Sequence, residues 1–395
     1  MSYSRLQLVK NSERRLRQGH CWIYSNEVDR KINQLTSFSA GQTVEVMDSE
    51  NRFQGMATVS PNSLICARVY SRQAQQAFDA EFIKIKLQQA HALRERLGLS
   101  EYGRQCFGDA DGLSGLVIDR FGGTLMVQIG TAAVEQQRDI LLPLLIEIYK
   151  PTGIWWKNDS GVREVEGLPL YSEKAWGDVP DILPVREGNA IFEASLSDGQ
   201  KTGWFYDHRD NRQYLAQFCQ GKRVLDVFCY AGAWGIQAAL AGAKEVVCVD
   251  SSAQALEFVQ RNAALNNLSD SVKSLRGKAL EVLRQLRDNN EMFDVIILDP
   301  PAFIKRKKDH AEGLQAYRRI NELAMRLLPE GGILASASCS MHLSRDELTD
   351  AVRHAAVRSQ RQAQIIKFGG QAPDHPVHPA IAETEYLKCA FVRVL

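Results

Sequence analysis

Phe293-Asp294-Val295-Ile296-Ile297-Leu298-Asp299-Pro300-Pro301-Ala302-Phe303 decides how the second half of this chain folds. The apolar run reads as a strand over 293–299, and it ends on a carboxylate at a rigid Pro-Pro turn. Working outward from it, strands and helices alternate with little ambiguity. Strands are expected at 223–228, 245–250, 271–275 and 332–337, and helices near 234–241, 253–265, 279–287 and 312–328. In the last of these, Leu314, Tyr317, Ile320, Leu323, Leu327 and Leu328 share one face. A helix near 346–358 and strands at 364–368 and 386–394 finish the pattern. Such alternation predicts a parallel, doubly wound sheet, with ligands bound beyond the carboxyl ends of its strands. The apolar run after 293–299 ends on Ser338-Cys339-Ser340. A thiol and the Asp299 carboxylate are therefore expected to face one pocket, a pairing suited to chemistry on a nucleobase.

The chain has 395 residues, enough for two or three domains. Residues 1–75 read as short strands (44–47, 53–59, 64–70) separated by turn residues, a small barrel or compact β module. Residues 76–188 form a central mixed α/β segment and linker. It opens on a helix over 82–97 with Asp79 as N-cap. A hairpin turning at Phe121-Gly122-Gly123 follows, then a helix over 134–149 stopped by Pro151. Residues 158–188 read as loops, and 190–196 as a strand. The third domain runs over 189–395.

Net charge is +1, so there is no global basic field, and nucleic-acid binding would rest on local patches. Two stand out: Arg14, Arg15 and Arg17, and the run Lys305, Arg306, Lys307, Lys308. The plain reading of either is a solvated face. The eight cysteines form no Cys-x-x-Cys pair, which disfavours zinc ribbons and thioredoxin-like motifs. No stretch is apolar enough to span a bilayer, and residues 1–10 have no secretory h-region. Cytoplasm is the expected compartment.

Asp226-Val227-Phe228-Cys229-Tyr230-Ala231-Gly232-Ala233-Trp234-Gly235 sits at the first strand–helix turn. Gly232 and Gly235 let backbone approach a ligand, but Tyr230 occupies the first position of a Gly-x-Gly-x-x-Gly pattern. That argues against a pyrophosphate cradle, hence against NAD or FAD. Asp250 ends the second strand, placed to accept hydrogen bonds from ribose hydroxyls. Acids at 226 and 250 suit a cofactor carrying a ribose and a cationic amino acid, such as S-adenosylmethionine. The polar stretch from Asp198 to Arg212 reads as a lid over that cofactor, or as a capped helix start.

These residues identify the chain as resembling the bacterial 5-methylcytosine ribosomal RNA methyltransferases that carry a PUA domain. The resemblance runs over nearly the whole chain. Its motifs are Gly19-His20-Cys21-Trp22-Ile23-Tyr24-Ser25, Asp111-Gly112-Leu113-Ser114-Gly115-Leu116 and Ile118-Asp119-Arg120-Phe121-Gly122. Lys201-Thr202-Gly203, Asp207-His208-Arg209, Asp299-Pro300-Pro301, Ser338-Cys339-Ser340 and Asp374-His375-Pro376 complete them. The chain departs from the pattern at Cys21, where the family has Pro, and at His208, where it has Gln. It departs again at Arg276-Gly277-Lys278, where an acid near the adenine is usual.

The resemblance implies an N-terminal PUA-like domain, a central α+β segment and a C-terminal class I, Rossmann-like methyltransferase domain. It implies S-adenosylmethionine as cofactor, with Asp207, Arg209, Asp226, Gly232, Asp250 and Asp299 around it. It implies 23S ribosomal RNA as partner and Cys339 as the nucleophile that adds to carbon 6 of a cytosine. Asp299 would hydrogen-bond the base, and Phe303 would pack on it. The target must be unpaired or flipped out. Release of the adduct needs a base that the sequence does not name, since Ala302 stands where some relatives have a second cysteine. Oligomeric state stays open, a homodimer being one option. Two rival readings are methylation of an exocyclic amine, which needs Asp-Pro-Pro-aromatic but no thiol, and a non-catalytic RNA-binding or assembly factor, to which Lys278 lends weight. A small-molecule methyltransferase would leave the N-terminal β module idle.

Overall fold

The computed structural model describes residues 3–196 and 202–395; Asp198 to Lys201 of the expected lid stretch lie outside the described residues. The chain forms two compact units and passes from one to the other several times. One unit draws on Met1–Leu183, Leu196–Trp204 and Pro373–Thr384, the other on Pro184–Ser195, Phe205–Ala372 and Glu385–Leu395.

The first unit holds two five-stranded sheets. In the N-terminal one, Ser4–Gln7 runs parallel to Thr43–Met47; Phe53–Val59, Ile65–Ser71 and Trp22–Tyr24 then follow in antiparallel order. Alternate residues Val44 and Val46, Ala57 and Val59, and Ala67 and Val69 close its core. The second sheet orders Tyr171–Gly177, Gly153–Asn158, Thr124–Ile129, Leu116–Phe121 and Tyr102–Phe107. Helices Ala80–Arg96 and Arg138–Tyr149 contribute to its core. The first of these starts where the sequence places it, because the Asp79 carboxylate accepts the Phe82 N–H at 3.0 Å.

Two expectations differ in this unit. The helix expected over 134–149 is two helices, Ala132–Glu135 and Arg138–Tyr149, because Gln137 (φ −96°, ψ 8°) leaves the helical basin between them. The loop expected over 158–188 contains two strands: Ile182–Glu187, which pairs with Ala190–Ser195, and Tyr171–Gly177. The Tyr171–Gly177 strand is the less legible. It pairs with one neighbour, at the sheet's edge, and is mostly solvated, so it carries no apolar alternation to read.

The second unit is built on a seven-stranded sheet, whose elements are labelled here: β1 (Arg223–Val227), β2 (Glu245–Asp250), β3 (Val272–Arg276), β4 (Val295–Leu298), β5 (Ile333–Ser338), β6 (Ala363–Gly369) and β7 (Lys388–Val394). The connecting helices are α1 (Ala233–Leu240), α2 (Ala253–Leu265), α3 (Ala279–Asp288), α4 (His310–Arg326) and α5 (Arg345–Arg358). Spatial order is β3-β2-β1-β4-β5-β7-β6. β1 to β5 are parallel, as expected. β7 is inserted antiparallel between β5 and β6, which corrects the all-parallel reading. The apolar face of α4 is buried as its spacing predicts, with Tyr317, Ile320 and Leu323 in the core beside Leu298 and Leu334. Strand order reverses at β1 and β4. A crevice for ligands belongs there, beyond the carboxyl ends.

Candidate active site

The turn leaving β1 is wound tightly. Phe228 (φ +67°) and Tyr230 (φ +49°) both occupy the left-handed region without being glycine, and Gly232 (φ +83°) follows. Such strain collects at functional turns and must be held by its surroundings. Here Tyr230 N–H donates to Asp250 Oδ2 at 3.1 Å, and Gly232 N–H to the Cys229 carbonyl at 2.8 Å. Gly235 is needed in α1 because a Cβ there would lie 2.6 Å from Cys248 Sγ. The glycines are legible in the sequence, whereas no local signal marks the strained Phe and Tyr.

Asp250, at the end of β2, is half-buried. Its Oδ1 accepts the Ser252 N–H at 2.9 Å and its Oδ2 the Tyr230 N–H. Each oxygen keeps a lone pair, so the carboxylate is fixed in direction and can still accept from a diol. Asp226 departs from the expectation of a cofactor ligand. It is fully buried, and its Oδ2 accepts the Gly235 N–H at 2.9 Å. It braces the turn from beneath, and burial pushes its carboxyl up to about 7. Lys278, which stands where an acid was expected, extends into solvent with a 79% exposed side chain 3.8 Å from Glu281. It opens α3 through its backbone only, and Gly277 N–H donates to the Asp250 carbonyl at 3.0 Å. The residues present thus fit a ribose-bearing cofactor: a directed carboxylate at the end of β2 and a glycine-lined turn after β1.

Asp299 follows β4. Its Oδ2 accepts the Trp234 indole N–H at 3.1 Å, and its Oδ1 lies 3.2 Å from His208 Nε2, not well aligned for a hydrogen bond. Asn211 Nδ2 donates to the Gly370 carbonyl at 2.8 Å and lies 3.0 Å from His208 Nδ1. That fixes the amide orientation, makes Nδ1 the acceptor and leaves the ring proton on Nε2, facing Asp299. Burial works against the Asp299 charge. The His208 ring and the Trp234 N–H outweigh it, so the carboxyl sits below the ordinary aspartate range. Asp299 is therefore an ionised acceptor. His208 and Trp234 are site residues whose roles the sequence did not assign.

Cys339 lies just past β5, half-buried, with Sγ 4.0 Å from the Pro300 carbonyl of the Asp-Pro-Pro turn. The Asp-Pro-Pro and Ser-Cys-Ser motifs are thus neighbours. The flanking serines are fully buried and pinned: Tyr317 Oη lies 2.8 Å from Ser338 Oγ and 2.9 Å from Ser340 Oγ, and Ile304 N–H donates to Ser340 Oγ at 3.2 Å. Phe303 packs edge-on to Phe228 and tilted against Tyr317, with centroids 6.2 and 4.9 Å away. Its ring is partly committed to the core, so contact with a substrate base is limited to what remains exposed.

The lid residues are placed firmly. Asp207 is buried, with Oδ2 accepting the Tyr386 hydroxyl at 2.5 Å and its carbonyl the Ala372 N–H at 2.8 Å. The Arg209 guanidinium stacks 5.1 Å from the Tyr206 ring. Asp207 and Arg209 are therefore built into the unit's own framework beside His208.

The basic patches fare unequally. Lys305, Arg306, Lys307 and Lys308 are exposed, with Arg306 paired to Asp309 at 3.0 Å. In the first unit Arg14 is exposed, whereas Arg15 is held by both Glu27 oxygens at 2.7 and 2.8 Å and Arg17 pairs with Asp48 at 2.8 Å. Two of those three charges are thus neutralised within the protein. Asp111, Asp119 and Asp374 are also structural: Arg94 clamps Asp111 at 2.7 and 2.8 Å, Arg104 clamps Asp119 at 2.8 Å, and Asp374 accepts the Arg104 backbone N–H at 3.0 Å.

Comparison with known proteins bears on what this arrangement belongs to. A PUA-like domain model matches residues 6–72, and the model "Conserved hypothetical protein 95" matches 211–330. The ribosomal RNA large subunit methyltransferase I of Erwinia tasmaniensis is 37% identical over 396 residues, 99% of either chain. The chain belongs to the ribosomal RNA large subunit methyltransferase I family. The family member of Escherichia coli strain K12 is 36% identical over 397 residues, again 99% of either chain. A solved Streptococcus mutans protein described as a SAM-dependent methyltransferase superposes with a TM-score of 0.83 at 19% identity, over 99% of this chain and 100% of that one. That likeness speaks to fold. Membership in the family agrees with the resemblance read from the motifs. Among the described residues no helix is long and apolar enough to cross a membrane.

Proposed function

We propose that this protein methylates carbon 5 of a cytosine in 23S ribosomal RNA, with S-adenosylmethionine as donor and Cys339 as a transient covalent nucleophile, in the cytoplasm. The observation that carries it is the half-buried Cys339 thiol beside the Asp-Pro-Pro turn, in a member of the large-subunit methyltransferase family.

S-adenosylmethionine, when bound, supplies a methyl group activated on a sulfonium. Asp250 and the Tyr230–Gly232 turn would hold its ribose, while Asp226 supports that turn from below. Cys339 Sγ adds as thiolate to carbon 6 of the base, which makes carbon 5 enamine-like and nucleophilic. Asp299, ionised and fixed by Trp234 and His208, accepts a hydrogen bond from the exocyclic amine and orients the ring. Once carbon 5 carries the methyl, loss of its proton expels the thiolate and restores the ring. Reaching carbon 6 requires an unstacked base. Exposed Lys305, Lys307, Lys308 and Arg14 would hold phosphates, and the PUA-like module would read RNA largely by shape.

The test is RNA containing 5-fluorocytidine. Fluorine at carbon 5 blocks proton loss, so a covalent protein–RNA complex should accumulate and map by mass to Cys339. Cys339→Ala should lose methyl transfer by on the order of a thousandfold or more while still binding RNA. Full turnover by that variant, with no fluorocytidine complex in the wild type, would favour amine methylation. Absence of S-adenosylmethionine binding by calorimetry would favour a non-catalytic binder.

A further inference from the structure

Lys388 opens β7, directly opposite Ser338 in the antiparallel pairing with β5. It is 5% exposed. Lysine is almost never buried unless an anion compensates it. Yet among the described residues no carboxylate oxygen lies within 4.0 Å of its ammonium. The acids around it are engaged elsewhere: Glu385 with Arg345 at 3.0 Å and Glu347 with His310 at 2.7 Å. The ammonium donates to two carbonyls, Ser340 at 2.7 Å and Tyr386 at 2.9 Å. Ser340 is the residue after Cys339.

We propose that Lys388 is the positioning residue of the Cys339 turn, fixing its backbone through Ser340 and supplying the buried positive charge that the thiolate requires. This rests on the nucleophilic role given to Cys339 above. A thiol needs a neighbouring cation to ionise near neutrality. The exposed 305–308 run is a poor source, because solvent and salt screen it. Lys388 is screened by neither. Its own surroundings agree: burial pushes the ammonium down to about 8, Cys339, Glu385 and Glu347 pull it back up, and Arg345 opposes them. Tyr317, facing the same turn from α4, is raised by burial and by Cys339 and so stays neutral, its hydroxyl accepting from Ser338 Oγ and bridging to Ser340 Oγ. The turn thus has a hydroxyl clamp on one side and a charged clamp on the other.

The measurement is the pH dependence of Cys339 alkylation by iodoacetamide in the full chain, read on the Cys339 peptide by mass spectrometry. Lys388→Met should move the midpoint up by about one pH unit, leaving roughly tenfold less thiolate below it. Lys388→Arg should keep the wild-type midpoint, which a merely structural role would not predict. A Lys388→Met profile that superposes on the wild type overturns the proposal, and it does so even where Cys339→Ala still abolishes methyl transfer. Should Lys388→Met show no cooperative unfolding, Lys388→Gln takes its place, and an arginine profile matching the glutamine one overturns the proposal equally.

Discussion

Asp226 carries a carboxylate into surroundings that oppose its charge. It is fully buried, one oxygen is satisfied by Gly235, and Oδ1 has no partner among the described residues. Burial raises its carboxyl to about 7 from an ordinary 3.8, with Asp299 and Asp250 adding to the effect. The folded state therefore holds a proton that the unfolded state releases. The stability this contributes is complete below the unfolded value and is lost as pH rises towards the folded one. Asp226→Asn keeps an acceptor for Gly235 and removes the titration. Between pH 4 and 8 the wild type should lose up to about 4 kcal/mol relative to the variant. Urea denaturation at both pH values measures it, and equal losses would show that Asp226 does not titrate. At this scale the sequence disclosed residue types better than their surroundings. The positions of Asp299 and Cys339 just past their strands are legible because apolar runs mark where the strands end. Asp226 was misplaced by one pleat: a residue inside a strand and a residue at its tip differ by a single position, and only the tip faces a ligand. Lys388 gave no signal, because its burial is a property of the β5–β7 pairing.

Elements in the second unit are legible where helices cover a parallel sheet, since both periodicities are strong there. The insertion of β7 was not legible: strand direction leaves no trace in local pattern, only in which neighbour is paired. The edge strand Tyr171–Gly177 escaped because its residues are mostly solvated. The contact between α1 and the sheet is set by a single missing side chain. A Cβ at 235 would meet Cys248 Sγ at 2.6 Å, Val246 Cγ1 at 3.0 Å and Asp226 Oδ2 at 3.3 Å. Neither strand residue can retreat from within the sheet, so Gly235→Ala should lift the start of α1. The expected cost is about 1–3 kcal/mol. The larger consequence falls on the turn that α1 anchors, so S-adenosylmethionine affinity should drop more than stability does. Calorimetry beside thermal unfolding separates the two, and an alanine variant with undiminished affinity would show that the turn does not depend on this packing.

The whole chain is organised by repeated passage between two units rather than by beads on a string. Pro373–Thr384 belongs to the first unit, yet it lies in sequence between β6 and β7 of the second. It is secured in the first unit by Asp374, which accepts the Arg104 N–H at 3.0 Å, and by Arg94, which donates to the Asp374 carbonyl at 2.7 Å. Arg94 is fully buried, and it also clamps Asp111. Arg94→Met leaves that carboxylate without its charged partner, holding only the Phe107 N–H at 2.6 Å, at a cost of about 3–5 kcal/mol. The first unit alone would bear this cost if the units melted separately. Five of the six tryptophans (Trp22, Trp155, Trp156, Trp176 and Trp204) lie in the first unit, and Trp234 lies in the second. Tryptophan fluorescence therefore reports mainly on the first unit, and S-adenosylmethionine binding on the second. Because freeing 373–384 loosens the entry to β7, and with it Lys388 and the Cys339 turn, both signals should fall together at a lower denaturant midpoint in the variant. Cofactor binding that persists after the fluorescence transition would show instead that β6 and β7 stay paired without the segment between them being held.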